Sequence, residues 1–284
     1  MMLNKNAIKN LVRPYVAPLY ERIPGWCFPK YQRRFQAYGI GVGKTGTTSL
    51  HNIFSLNYRS AHEPESSLLI PKNMAFAQGK IGKNKFTDYI KNRDRRLSLE
   101  MDSSSLNNFI VDILVTEFKK AQFILTIRDC YSWLDSIFNQ HIVAFNFEKK
   151  NNIILTNREK WRHFIYEKYQ FNHAQEEQIL ADKRLYPLDS YLSYYKERHN
   201  QILQTVPPER LLIIKTSEIN QSILKMAQFL DISPESLPVN VRANVRRKAD
   251  KYNLLAQLDR DFVREKVKFH CGELMYQYFP EVKF

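Results

Sequence analysis

Cysteine, glycine and long apolar runs are all scarce in this chain of 284 residues, and each scarcity excludes something. Cys27, Cys130 and Cys271 are three, an odd number at spacings that no metal site uses. They read as free thiols of a reducing compartment, and a cytoplasmic location is expected. The apolar runs fall short of the roughly 18 residues that a membrane span needs. No stretch rich in Gly, Ser or Pro divides the chain and no repeat recurs, so neither a linker nor a solenoid is marked. Residues 1–35 lack the apolar core and small-residue cleavage site of a secretory leader. Their basic residues interleave with Leu11, Val12, Tyr15, Val16, Leu19 and Tyr20 at near-helical spacing. We expect a basic arm over 1–35, packed on a single domain over 36–284.

Acidic residues are also short, 29 against 43 Lys and Arg, for a formal charge of +14. That balance suits nucleic acid, an anionic membrane or a highly phosphorylated ligand. Apart from a cluster from Arg242 to Lys251 the basic residues are scattered, with no basic tail or zinc-finger spacing. Nucleic acid is therefore not the expected partner.

The pattern alternates strands with helices. Ala37 to Val42, Tyr58 to Ala61, Arg96 to Met101, Gln122 to Ile127 and Leu211 to Lys215 read as strands. Helical spacing runs over Ser49 to Leu56, Leu106 to Phe118, Tyr131 to Ala144, Tyr191 to Leu203, Ile219 to Leu230 and Asp250 to Tyr278. Residues 145–188 are aromatic, charged and mostly helical, and are expected on the side where an acceptor would enter. This alternation predicts an α/β fold, a parallel β-sheet flanked by helices on both faces. Such sheets bind ligands at the carboxyl ends of their strands.

The first strand runs into Gly41-Val42-Gly43-Lys44-Thr45-Gly46-Thr47-Thr48. A glycine-rich turn at a helix start can wrap a phosphate with backbone N–H groups. Three ligands compete for it. The P-loop pattern G-x-x-x-x-G-K-[ST] fails in one register because Tyr38 stands at the first glycine. In the other register Thr47 stands at the lysine, so a kinase or ATPase would lack its phosphate-binding lysine. Gly41-x-Gly43-x-x-Gly46 does match a dinucleotide fingerprint, with Glu63 or Glu65 near the ribose position. That match leaves Lys44, Thr47 and Thr48 without a role.

The stretch Val42 to Leu50 resembles the 5′-phosphosulfate loop P-K-S-G-T-T-x-L of sulfotransferases that use 3′-phosphoadenosine 5′-phosphosulfate (PAPS). Gly43 replaces the proline and Thr45 the serine. The family's second signature is an arginine at a strand end with a serine eight positions on. Arg128 and Ser136 match it, with Arg128 84 residues after Lys44. Leu211 to Ile219, then Met226 to Ile232, resemble the family's late strand and following helix, with Thr216 where an aromatic residue often lies. Arg246-Arg247-Lys248 resembles its basic R-K-G loop, with Ala249 for the glycine. The likeness spans about Ala37 to Pro280.

The resemblance implies the P-loop-like sulfotransferase fold, PAPS as donor, adenosine 3′,5′-bisphosphate as product and no metal. It implies cofactor contacts from Gly43, Lys44, Thr45, Gly46, Thr47, Thr48, Ser49, Arg128, Ser136, Arg246, Arg247 and Lys248. Lys44 would stabilise the leaving group. The acceptor's proton needs a base, and Glu63, His62 and Glu65 are the candidates, in that order. The acceptor is expected to be a hydroxyl- or amine-bearing small molecule, a specialised natural product among the options, with a carbohydrate or glycolipid as the alternative. Assembly as a homodimer is left open.

Overall fold

The computed structural model describes Cys27 and residues 31–150, 156–238 and 252–283. Most of the expected N-terminal arm, and Arg246, Arg247 and Lys248, lie outside the described residues. Among the described residues five strands form one sheet: β1 (Ala37–Gly39), β2 (Ser60–His62), β3 (Met101–Ser103), β4 (Gln122–Ile127) and β5 (Leu211–Lys215). All neighbours are parallel, in the order β2-β3-β1-β4-β5.

Ten helices flank the sheet among the described residues: α1 (Thr47–Phe54), α2 (Ser66–Ala77), α3 (Lys83–Leu97), α4 (Val111–Glu117), α5 (Cys130–Lys150), α6 (Asn157–Tyr166), α7 (Gln178–Asp182), α8 (Leu188–Thr205), α9 (Ile223–Leu230) and α10 (Arg260–Tyr278). Among the described residues no helix is long and apolar enough to cross a membrane.

Period-two alternation in β4 explains why both faces are covered. Phe123, Leu125 and Ile127 enter one core with residues of α2 to α6, α8 and α10, including Trp133 and Tyr195. Ile124 enters the opposite core, with Leu50, Ile53 and Phe54 of α1 and Met226, Ala227 and Leu230 of α9. Leu50 is fully buried, and Leu50→Ala should cost about 2–5 kcal/mol.

The expected α/β sheet is thus present, with local differences in strand bounds, β2 among them at Ser60–His62 rather than Tyr58 to Ala61. The strand expected over Arg96 to Met101 begins only at Met101, because Lys83 to Leu97 is helix and Ser98 closes it at φ 45°. The alternation of Arg96, Leu97, Ser98 and Leu99 mimics a strand, yet Arg93 and Arg96 are buried on one face of α3 as ion-pair partners. The first strand is shorter than expected. Its last backbone bond, Ile40 N–H to the Ile124 carbonyl at 3.0 Å, leads straight into the glycine loop.

The chain leaves β1 toward β2 and leaves β4 toward β5, so neighbouring strands send their exits in opposite directions. A crevice opens at such a switch point. The glycine loop and Arg128 both fall there.

Candidate functional site

The loop after β1 is held by side chains from three other elements. Thr45 is fully buried, and its hydroxyl lies 2.8 Å from the Val42 carbonyl and 3.0 Å from Thr126 Oγ1 on β4. Thr45, read as a cofactor contact, therefore directs its hydroxyl into the protein. Trp133 Nε1 donates to the Gly43 carbonyl at 2.9 Å. The Thr216 hydroxyl sits between the Thr45 and Ile127 carbonyls. At the position where the resembled family often carries an aromatic ring, this chain has a tie for the loop.

Two residues of the loop have positive φ: Lys44 at 72° and Gly46 at 111°. At Gly46 the backbone requires glycine; an added Cβ would also meet the tip of Ile219, Cδ1 at 2.5 Å, which would have to move aside. At Gly43 an added Cβ would meet nothing within 4 Å. Helix α1 then starts at Thr47 with no side-chain cap and no acidic residue in its first turn. Its N-terminal N–H groups keep their positive potential for an anion.

Arg128 meets this loop from β4. Its Nη1 donates to the Lys44 carbonyl at 3.4 Å, and its Nε to Ser132 Oγ at 2.9 Å. Burial lowers the pKa of the guanidinium, against the opposing influence of Asp129 and Asp135. Ser136 lies half-buried one turn beyond Ser132 on the same face of α5. The two signatures, distant in sequence, are therefore in contact through Arg128 and Lys44.

His62 closes the other side of the loop. Its Nε2 lies 3.1 Å from Thr47 Oγ1 and 3.2 Å from Thr48 Oγ1. Burial, with the Arg158 and Lys44 charges, lowers its pKa despite Glu63 and Asp102.

The next residue has a different environment. Glu63 Oε1 accepts from the Ser105 N–H at 2.9 Å and the Ser105 hydroxyl at 2.6 Å, and Oε2 accepts from the Ser104 hydroxyl at 3.0 Å. Its carboxylate lines a cavity of about 520 Å³ that also reaches Gly43. Glu65 is engaged elsewhere, in a two-point pair with Arg96 at 3.0 and 2.6 Å. The structure thus brings Lys44, Thr47, Thr48, His62, Glu63 and Arg128 around one crevice and commits Glu65 to a structural pair.

The turn carrying these carboxylates is strained and clamped. Glu63 and Glu65 have φ of 51° and 52°, on either side of Pro64, a left-handed conformation that non-glycine residues adopt at a cost. Two buried arginines of α3 hold it. Arg93 Nη2 donates to the Pro64 carbonyl at 3.0 Å while Nη1 pairs with Asp102 at 2.7 Å, and Arg96 holds Glu65. The sequence pattern does not reveal Arg93, Arg96, Ser104 or Ser105 as site residues, because every one of these contacts crosses between elements. Trp133, Ser132 and Thr126 escaped notice for the same reason.

The cavity beside Glu63 is roofed by α6. Trp161, Arg162, Ile165 and Tyr166 line it from one helix face, opposite Phe109 and Tyr194. The rings of Phe109 and Trp161 meet edge to face at 4.5 Å. His141 also lines the cavity, 2.8 Å from the Tyr191 hydroxyl. Burial and the Arg162 charge push its pKa down to about 3.

No curated protein matches the chain. A sulfotransferase from Alicyclobacillus acidocaldarius is 15% identical, with a TM-score of 0.44 over 86% of this chain and 97% of that one. The sulfotransferase domain of the Synechococcus PCC 7002 olefin synthase is 12% identical, with a TM-score of 0.39 over 83% and 85%. A sulfotransferase domain from the curacin biosynthetic pathway is 10% identical, with a TM-score of 0.39 over 84% and 98%. The family model described as a sulfotransferase domain matches residues 37–243, well over half of the chain. By that match the chain belongs to the sulfotransferase family, and its all-parallel sheet is the P-loop-like sulfotransferase fold.

Proposed function

We propose that this enzyme transfers a sulfuryl group from PAPS to a hydroxyl or amine of a small molecule, a specialised natural product being one such acceptor. The observation carrying the reading is the contact between Arg128 Nη1 and the Lys44 carbonyl at 3.4 Å. It brings the Arg128 guanidinium against the backbone of the loop that carries Lys44, at the crevice where β1 and β4 part, a suitable arrangement for a ligand with phosphates at both ends. The open N-terminus of α1 and the glycine at 46 fit a 5′-phosphate.

In this reading Gly43, Gly46, Thr47, Thr48 and Ser49 surround the 5′-phosphate, and Arg128 with Ser136 holds the 3′-phosphate. Arg246, Arg247 and Lys248 would complete the 3′-phosphate side. Bound PAPS supplies an activated sulfuryl group whose leaving group is the bisphosphate. Lys44 contributes positive charge where the leaving oxygen gains negative charge. Glu63 accepts the acceptor's proton, with its carboxylate oriented by Ser104 and Ser105. Glu63 is preferred to His62 because it faces the cavity, whereas His62 Nε2 is engaged by Thr47 and Thr48. His62 acts as a positioning residue for those two hydroxyls.

Incubating the protein with sulfur-labelled PAPS and a panel of hydroxylated and amine-bearing metabolites tests the proposal. Label should move to an acceptor with the wild type, and Lys44→Ala should reduce the rate by about 10²–10³-fold. Undiminished transfer by Lys44→Ala would remove the lysine from the mechanism.

A further inference from the structure

One buried side chain of the cavity beside Glu63 has no part in the sulfuryl-transfer reading. His141 of α5 is 4% exposed and lines the cavity of about 520 Å³. Its ring stands among other rings, with the centroids of Tyr166 and Tyr191 at 5.5 and 5.6 Å. One ring nitrogen, Nδ1, lies 2.8 Å from the Tyr191 hydroxyl. The other, Nε2, has no hydrogen-bonding partner among the described residues. His199 makes the comparison: its Nε2 is sealed in the core, whereas that of His141 keeps accessible surface and opens on the cavity.

The order of the hydrogen bonds sets which nitrogen carries the proton. Burial raises the Tyr191 pKa, so its hydroxyl stays protonated, and its oxygen accepts the Tyr186 backbone N–H. The hydroxyl proton is then free to donate, and His141 Nδ1 is the acceptor beside it. Burial first, and then the Arg162 charge, hold the ring neutral, with a pKa of about 3. In a neutral ring whose Nδ1 accepts, the one proton sits on Nε2. The chain from Tyr186 through Tyr191 to His141 therefore ends in a single N–H donor at the cavity wall. Such a donor in aromatic surroundings costs free energy unless something in the cavity meets it. Being neutral, it complements an uncharged oxygen. The walls around it, Phe109, Trp161, Tyr166 and Tyr194, suit an aromatic ring.

We propose that His141 Nε2–H is a substrate-binding donor, taking the carbonyl-type oxygen of an uncharged aromatic alcohol whose hydroxyl reaches Glu63. The role of the hydroxyl rests on the sulfuryl-transfer reading. The donor at His141 does not, and it can be tested without turnover.

The test compares two phenols that differ in one group, 4-hydroxyacetophenone with a ketone and 4-ethylphenol without it, by calorimetric titration of the protein alone. The ketone should bind with about fivefold lower Kd, the order expected for one neutral hydrogen bond, although it is the less apolar of the two. His141→Asn, whose amide is too short to stand where Nε2 stands, should abolish the preference. His141→Gln, whose amide N–H reaches that place, should keep most of it. A second measurement needs no variant. In the nuclear magnetic resonance spectrum of the isotope-labelled protein at pH 7, His141 should carry its proton on Nε2, and only the ketone should shift that N–H signal. Equal binding of the two phenols, no binding of either, a preference that survives His141→Asn, or a proton on Nδ1 would overturn the proposal. A separate titration with adenosine 3′,5′-bisphosphate reports the donor crevice, so failure of the sulfuryl-transfer reading and failure of the His141 subsite are told apart.

Discussion

The crevice proposed for the donor and the cavity proposed for the acceptor adjoin at Gly43, yet they are built by different means. The donor side is a backbone device: a loop tied through the carbonyls of Val42, Gly43, Lys44 and Thr45, and a helix N-terminus without a cap. The acceptor side is a side-chain device: a strained turn clamped by Arg93 and Arg96, a carboxylate held by two serines, and an aromatic roof. A phosphate can be recognised by N–H groups and dipoles that any fold of this kind supplies. An acceptor must be recognised by shape and particular side chains. The difference explains why one half follows a short local pattern and the other does not.

The comparison can be broken most sharply at Glu63. Glu63→Gln should leave bisphosphate affinity unchanged and lower the transfer rate by about 10²-fold or more, the size of general-base catalysis. Loss of donor affinity would mean that the two halves are not separable, and retained transfer would move the base to His62.

Acid should act on the buried aromatic core next to the acceptor cavity. His141 and His199 are fully or almost fully buried, and burial first pushes their pKa values to about 3 and about 4. The unfolded chain takes up a proton at each near pH 6.5, while the folded chain does not until far lower pH. Stability is therefore fully present above pH 6.5 and falls as pH drops, by on the order of 2–3 kcal/mol per histidine at pH 4. Denaturant unfolding between pH 7 and 4 should show this slope, and His141→Gln should flatten it. A slope that is unchanged in that variant would mean that His141 takes no part.

On the donor side Arg128→Ala should weaken bisphosphate binding by about ten- to a hundredfold, the range for a charged hydrogen-bonding pair. Binding of adenosine 5′-phosphosulfate, which lacks the 3′-phosphate, should change little. Equal weakening of the two ligands would take Arg128 away from the 3′-phosphate.

The smallest effect separates two glycines of one loop. Gly46→Ala must accept φ of 111° and a contact with Ile219, for roughly 1–2 kcal/mol or more. Gly43→Ala meets open space and should retain donor binding. Similar behaviour of the two variants in bisphosphate titrations would show that the loop's backbone is not the recognising part.

The sheet was legible in sequence because β4 and β5 are continuous apolar runs and the glycine loop punctuates β1. Helices α2 and α3 went unread. Pro71 lies inside α2, and α3 is so rich in charge that its buried face depends on Arg93 and Arg96 finding Asp102 and Glu65. In the candidate site, motif and spacing single out Lys44 and Arg128, whose contact is a feature of the fold. The clamps on Glu63 and the Trp133 and Thr216 ties were not legible, because a tertiary contact leaves no local periodicity. Glu65 stands close behind Glu63 as a candidate in the sequence, and the Arg96 pair on one and the Ser104 and Ser105 contacts on the other set them apart.

The most direct measurement is a calorimetric titration of the purified protein with adenosine 3′,5′-bisphosphate, beside ATP and NAD. The account predicts selective binding of the bisphosphate that Arg128→Ala weakens. Preference for ATP or NAD, or no binding of the bisphosphate, would contradict the assignment of the crevice between β1 and β4 to PAPS.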